Sequence, residues 1–136
     1  MGTPQILALV VLGLCSAGLV QASTVQCDGS TLEIQACMGK RLDEANARLA
    51  KYLTAAQARI DKDFGSRPNL KATQAAWARY RDLECADVFE LWEQGTYRTI
   101  ASSECMLRVT QQRTHEVWQA YLTHQDSTPP LLPEPL

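Results

Sequence analysis

Between positions 30 and 123 apolar residues recur at three- and four-residue steps, the period of a helix with one buried face, and no stretch alternates as a strand would. Ser30-Thr31-Leu32-Glu33 reads as a capping box that opens the first helix. Leu42, Ala45, Leu49, Leu53, Ala56, Ile60 and Phe64 then form one apolar stripe, and Gly65 supplies a C-cap. Ser66-Arg67-Pro68-Asn69 is a turn into a second helix over about 69–93, with Leu70, Trp77, Val88 and Leu91 on its inner side and Gly95 beyond its end. A third helix is expected from Ser102 or Ser103, carrying Met106, Val109, Val117 and Ala120 or Tyr121, and fading near Thr123. No internal repeat interrupts this order. The pattern predicts an all-α fold, a small antiparallel three-helix bundle.

Both ends of the chain fall outside that pattern. Residues 6–20 are an apolar run closed by Val20-Gln21-Ala22, too short for a spanning helix and suited to the h-region of a secretory signal cleaved before Ser23. The first five residues carry no Lys or Arg, which is atypical for such a signal. Leu14 stands before Cys15 where a lipobox has a small residue, which argues against lipidation there. Met1-Gly2 lacks the Ser or Thr at position six that myristoylation uses. The expected organisation is a signal peptide over 1–22, a helical domain over 23–125 and a proline-rich disordered or extended tail over 126–136, with Pro129, Pro130, Pro133 and Pro135 excluding helix. Removing 22 of 136 residues leaves 114, one domain in length.

Cleavage discards Cys15 and leaves an even set, Cys27, Cys37, Cys85 and Cys105, as expected of an exported, oxidised domain stapled by disulfides. The expected product is periplasmic or secreted, with no stable membrane insertion after cleavage. A formal charge of −2 leaves no footprint for nucleic acid. No Cys-x-x-Cys occurs, and His115 and His124 stand at no ligand spacing with the cysteines, so no metal is expected and no cofactor is implied. His115-Glu116 begins like a zincin helix, but Gln119 replaces the second histidine. Without a phosphate loop or a nucleophile elbow, the chain is not read as an enzyme.

Polar residues interrupt the stripes. Gln74 lies one turn from Leu70 and Trp77, Arg81 one turn after Trp77, and Arg113 between Val109 and Val117 beside Thr110. Buried without partners, each would cost on the order of 1–3 kcal/mol, and Asp82, Glu84 and Glu116 are available to the arginines. An internal network that fixes helix register is the first reading, and a polar cleft binding a small ligand the second.

The run Leu70-x-x-x-Gln74-x-x-Trp77-x-x-Tyr80-Arg81-Asp82-x-x-Cys85 resembles the signature of the LprI-type lysozyme-inhibitor domain family, formerly a domain of unknown function. Cys27 and Cys37 match its upstream cysteines, Asn46, Leu49 and Tyr52 its first-helix residues, and Cys105, Thr110 and Arg113 its downstream ones. The resemblance covers 27–122. It departs in the loop before the last helix, where the family often has paired glycines and a serine and this chain has only Gly95-Thr96. Cys27 with Cys37, and Cys85 with Cys105, would tie neighbouring segments for about 2–3 kcal/mol each, although four cysteines allow three pairings and sequence does not choose among them.

The resemblance implies a binding module whose partner is a lysozyme. An inhibitor can fill the enzyme's two-carboxylate cleft with a cationic or hydrogen-bonding side chain. Arg67 and Arg98, each beside a turn, are candidates by position, and Tyr97 next to Arg98 would make an aromatic–arginine contact pair. Gln74, Trp77, Tyr80, Arg81, Asp82, Thr110 and Arg113 are expected to build the scaffold. The alternative is a non-inhibitory envelope accessory protein with another periplasmic partner.

Overall fold

The computed structural model describes residues 26–135; the expected signal segment, its cleavage site and Cys15 lie outside the described residues. Three helices account for the domain: α1 (Thr31–Phe64), α2 (Leu70–Leu91) and α3 (Arg98–Val117), the last continued by one π-helical turn at Trp118–Leu122. No strand occurs among the described residues. The Ser30 hydroxyl accepts from the Glu33 amide while the Glu33 carboxylate accepts from the Ser30 amide at 2.8 Å, which completes the capping box. Gly65 closes α1 in the left-handed region at φ 58°, and the Asn69 side chain caps α2 by accepting from the Ala72 amide at 3.0 Å.

Packing partners fix the topology. Met38 and Ala45 of α1 meet Leu107 of α3, while Leu49, Tyr52, Ala56 and Ile60 further along meet Val117 and Leu122, so α1 and α3 run parallel. Cys85 meets Cys105 and Gln74 meets Arg113, so α2 runs antiparallel to α3. Helix α3 lies close against both others. The core is apolar except along α3, where Thr110, Arg113 and Thr114 are buried.

The disulfides are Cys27–Cys37, which ties the segment ahead of α1 onto that helix, and Cys85–Cys105, which joins α2 to α3 with Cα atoms 5.6 Å apart. Closing loops of 10 and 20 residues contributes about 3 kcal/mol each through the entropy of the unfolded chain. Of the three pairings open to four cysteines, the fold selects the one in which both bonds are local.

Several sequence expectations are corrected. Helix α3 starts at Arg98, before Ser102 and Ser103, because the Gly95 turn already carries the chain into helical hydrogen bonds, Ala101 donating to the Tyr97 carbonyl at 2.9 Å. Ser102 instead donates to the Cys85 carbonyl at 2.9 Å, across to α2. Leu91 is not an inner residue but 80 % exposed. The inner line of α2 runs through positions 70, 74, 77, 81, 85 and 88, and the helix ends as position 91 passes the start of α3. Phe64 likewise sits on the surface in the last turn of α1, whereas Met38 and Tyr52 join the buried stripe.

The proline-rich segment is non-helical, bends at 125–127 and again at 131–132, and its far part is laid onto the helices. Leu131 donates from its amide to the Leu122 carbonyl at 2.8 Å, Trp118 Nε1 donates to the Leu132 carbonyl at 2.9 Å, and Tyr52 donates to the Pro133 carbonyl at 2.7 Å. Pro133 and Pro135 preclude a helix but suit an extended chain whose carbonyls remain free to accept.

Candidate functional site

Polar and aromatic side chains gather at two places on α2 and the elements beside it. The first is the seam of the three helices around Trp77. Arg81 lies 5.1 Å from the Trp77 ring centre, and its Nη1 donates to Asn46 Oδ1 of α1 and Thr110 Oγ1 of α3 at 3.3 and 3.4 Å. Its Nε and Nη2 hold Asp82. Arg113 lies 5.9 Å from the same ring, donating to Gln74 Oε1 at 3.1 Å and Glu116 Oε2 at 3.3 Å. One indole thus sits between two guanidiniums from different helices, each with acceptors on its own and a neighbouring element. This wiring fixes the rotation and register of the helices, since sliding any of them breaks several directional bonds at once. Tyr80 stands apart from it, 54 % exposed on the outer face of α2.

The second place is the end of the bundle formed by the α2–α3 turn. Trp92 and Tyr97 meet edge to face with ring centres 4.9 Å apart, and both are exposed, beside Leu91. The Tyr97 hydroxyl donates to Glu104 Oε2 at 2.7 Å, which raises its pKa above the ordinary tyrosine value because the neutral phenol keeps that bond and escapes the carboxylate's charge. Arg98 stacks over Phe89, 3.6 Å from the ring centre, and donates to Glu90 Oε1 at 3.3 Å. Glu93 holds the turn with a positive φ of 45°. Arg98 Nε is buried without a hydrogen-bond partner, so the stack on Phe89 and the bond to Glu90 hold it in place. The result is a preformed aromatic knob, the kind of surface that buries area on a partner at little entropic cost.

The sequence candidates are thereby separated. Tyr97 and Arg98 share the knob, but Arg98 is a half-buried strut for the turn, not a free probe. Arg67 lies in the α1–α2 turn with its Nε on the Phe64 carbonyl, at the opposite end of α2, about 33 Å away at 1.5 Å per residue over 22 residues. Sequence reasoning missed Leu91, Trp92, Phe89 and Glu104. The signal was available in part, since Trp92 and Leu91 immediately precede the Gly95 break, where a helix face runs out of neighbours. No group of three or more His, Cys, Asp or Glu suited to a metal occurs among the described residues, and none of their helices is long and apolar enough to cross a membrane.

The family model described as Lysozyme inhibitor LprI matches residues 23–117, spanning the three helices and both disulfides. No curated protein and no solved structure matches the chain.

Proposed function

The chain belongs to the LprI lysozyme-inhibitor family, and on that premise we propose that it is an exported binding module that inhibits a lysozyme by protein–protein contact through the α2–α3 end of the bundle. The observation that carries the choice of surface is the exposed pair Trp92–Tyr97, backed by Leu91 and braced by Arg98 on Phe89. Large apolar side chains left in solvent on a small domain mark interaction surfaces, and tryptophan and tyrosine are the side chains most enriched where binding energy concentrates. The disulfides suit an oxidising compartment, the periplasm or the exterior, where a lysozyme would be met. Catalysis plays no part in this reading: the Trp77 seam is scaffold, and the knob offers contact area and hydrogen bonds.

The test is residual lysozyme activity on cell walls, titrated with the oxidised protein beginning at Ser23. Inhibition is expected to saturate near one equivalent. Trp92→Ala should raise the concentration for half inhibition about 30-fold, the effect of losing a contact worth about 2 kcal/mol, while Arg67→Ala leaves it within two-fold. Full lysozyme activity at a large excess of protein would sink the inhibitor reading and assign the knob to another envelope partner.

A further inference from the structure

The groove between α1 and the far end of α3 has the chemistry of a peptide-recognition site. Its floor is apolar, built from Leu49, Tyr52, Val117 and Leu122 with Trp118 and Tyr121 beside them, and Leu132 packs against that cluster. Its rim offers two aromatic donors aimed at backbone carbonyls, Tyr52 Oη on Pro133 and Trp118 Nε1 on Leu132, and one carbonyl, that of Leu122, for the incoming Leu131 amide. The Leu122 carbonyl is free to accept because the π-helical turn ends there. Arg59 Nη1 takes the neighbouring Tyr121 and Thr123 carbonyls at 2.6 and 2.8 Å. His115, tilted against Trp118, meets the Glu134 carboxylate at 2.9 Å. Glu134 and Pro135 themselves line an open cleft of about 490 Å³ with Ala47, Arg48, Lys51 and Tyr52 of α1.

Aromatic side chains that donate to the carbonyls of an extended, proline-containing chain are how proline-rich peptides are read, because proline preorganises the ligand and cannot satisfy those carbonyls internally. Here the reader is filled by its own chain. The link across 125–130 is exposed throughout, and the Thr128 amide turns back within it to donate to Asp126 Oδ1 at 2.9 Å. A segment held at one end of such a link opens without unfolding the bundle.

We propose that this groove is a binding site for non-helical, proline-containing acidic peptides of the form Leu-Leu-Pro-Glu-Pro, held shut in cis by residues 131–135, and that a partner's segment of that chemistry enters by displacing them. The tether sets the threshold, since a short flexible link presents its segment at about millimolar effective concentration. Weak ligands are excluded, and only a tighter peptide, or one presented at high local concentration, competes.

The experiment uses the full chain carrying Leu132→Asp, which places a charge against the apolar floor and releases the segment. The probe is a synthetic peptide of residues 128–135, Thr-Pro-Pro-Leu-Leu-Pro-Glu-Pro, and the readout is the Trp118 indole N–H resonance. In the variant that resonance should leave its wild-type position, and the peptide should return it saturably. Adding Tyr52→Phe should weaken the peptide roughly five-fold, one hydrogen bond's worth, and the same peptide carrying Leu132→Asp should have no effect. A folded variant whose indole resonance never moves, or is not restored by several millimolar peptide, overturns the proposal and leaves the segment a structural strap. Should the variant fail to fold, the wild-type chain answers instead. A spin-labelled copy of the peptide at about ten millimolar, well above the tether's concentration, must broaden the Trp118 indole, and no broadening refutes the site.

Discussion

At the scale of single residues, burial decides what a charge is worth. Arg81 and Arg113 flank the same indole, yet Arg113 is the more enclosed, with its side chain 10 % exposed against 19 % for Arg81. Arg113→Ala strips the half-buried Gln74 of its donor and opens space beside Trp77, and is expected to cost about 2–3 kcal/mol in urea unfolding. Arg81→Ala leaves Asn46 and Asp82 to water and strips only the buried Thr110 hydroxyl of a long bond, and should cost about 1–2 kcal/mol. Glu33 gives a pH signature. Its pKa is lowered, first by the Ser30 hydroxyl and then by the Ser30 amide, so its contribution is present above the ordinary carboxylate value and is lost as pH falls through the depressed one. The wild-type chain should therefore lose more thermal stability than Glu33→Gln on acidification from pH 5 to 3, and equal losses would disprove the linkage.

At the scale of the element, the two glycines of the first helical region have opposite roles. Gly39 sits inside α1 with nothing within 4 Å of where a Cβ would stand, so Gly39→Ala should stabilise the protein by about 0.5–1 kcal/mol by narrowing the unfolded ensemble. Gly65 has equally open surroundings, but its φ of 58° is left-handed, and Gly65→Ala should cost about 1 kcal/mol. Denaturation midpoints moving in opposite directions would establish both. The helices were legible as elements because capping boxes, glycine stops and a 3.6-residue period are local signals. The start of α3 was not, because Tyr97 caps it with no side-chain bond, and Ser102, one of the two serines that looked like caps, donates across to α2 instead.

At the scale of the whole molecule, charge is distributed unevenly although the total is only −2. Positions 82–104 carry Asp82, Glu84, Asp87, Glu90, Glu93 and Glu104 against Arg98 alone, so the end bearing the aromatic knob is acidic. A partner with a cationic surface is steered there by carboxylates. The proposed complex, with the acidic end against a cationic part of the lysozyme outside its carboxylate cleft, should weaken as salt rises, and Glu93→Lys should slow association several-fold with little change in dissociation. An association rate indifferent to both salt and Glu93→Lys would place the contact elsewhere.

The sequence by itself determined the helical class, the caps of α1, the even cysteine set beyond position 22 and the polar residues Gln74, Arg81 and Arg113 that interrupt the apolar stripes near Trp77 and Thr110, since each rests on spacing or composition within a short window. Only the tertiary structure decided which cysteines pair and that Arg67 and Arg98 stand at opposite ends of α2. It alone exposed Leu91 and Trp92, where α2 outruns its neighbours, and laid residues 131–135 across the groove of α1 and α3. Those outcomes depend on which surfaces meet once the helices are packed. A pattern of apolar positions fixes the face a helix buries but not where along its length a partner stops covering it.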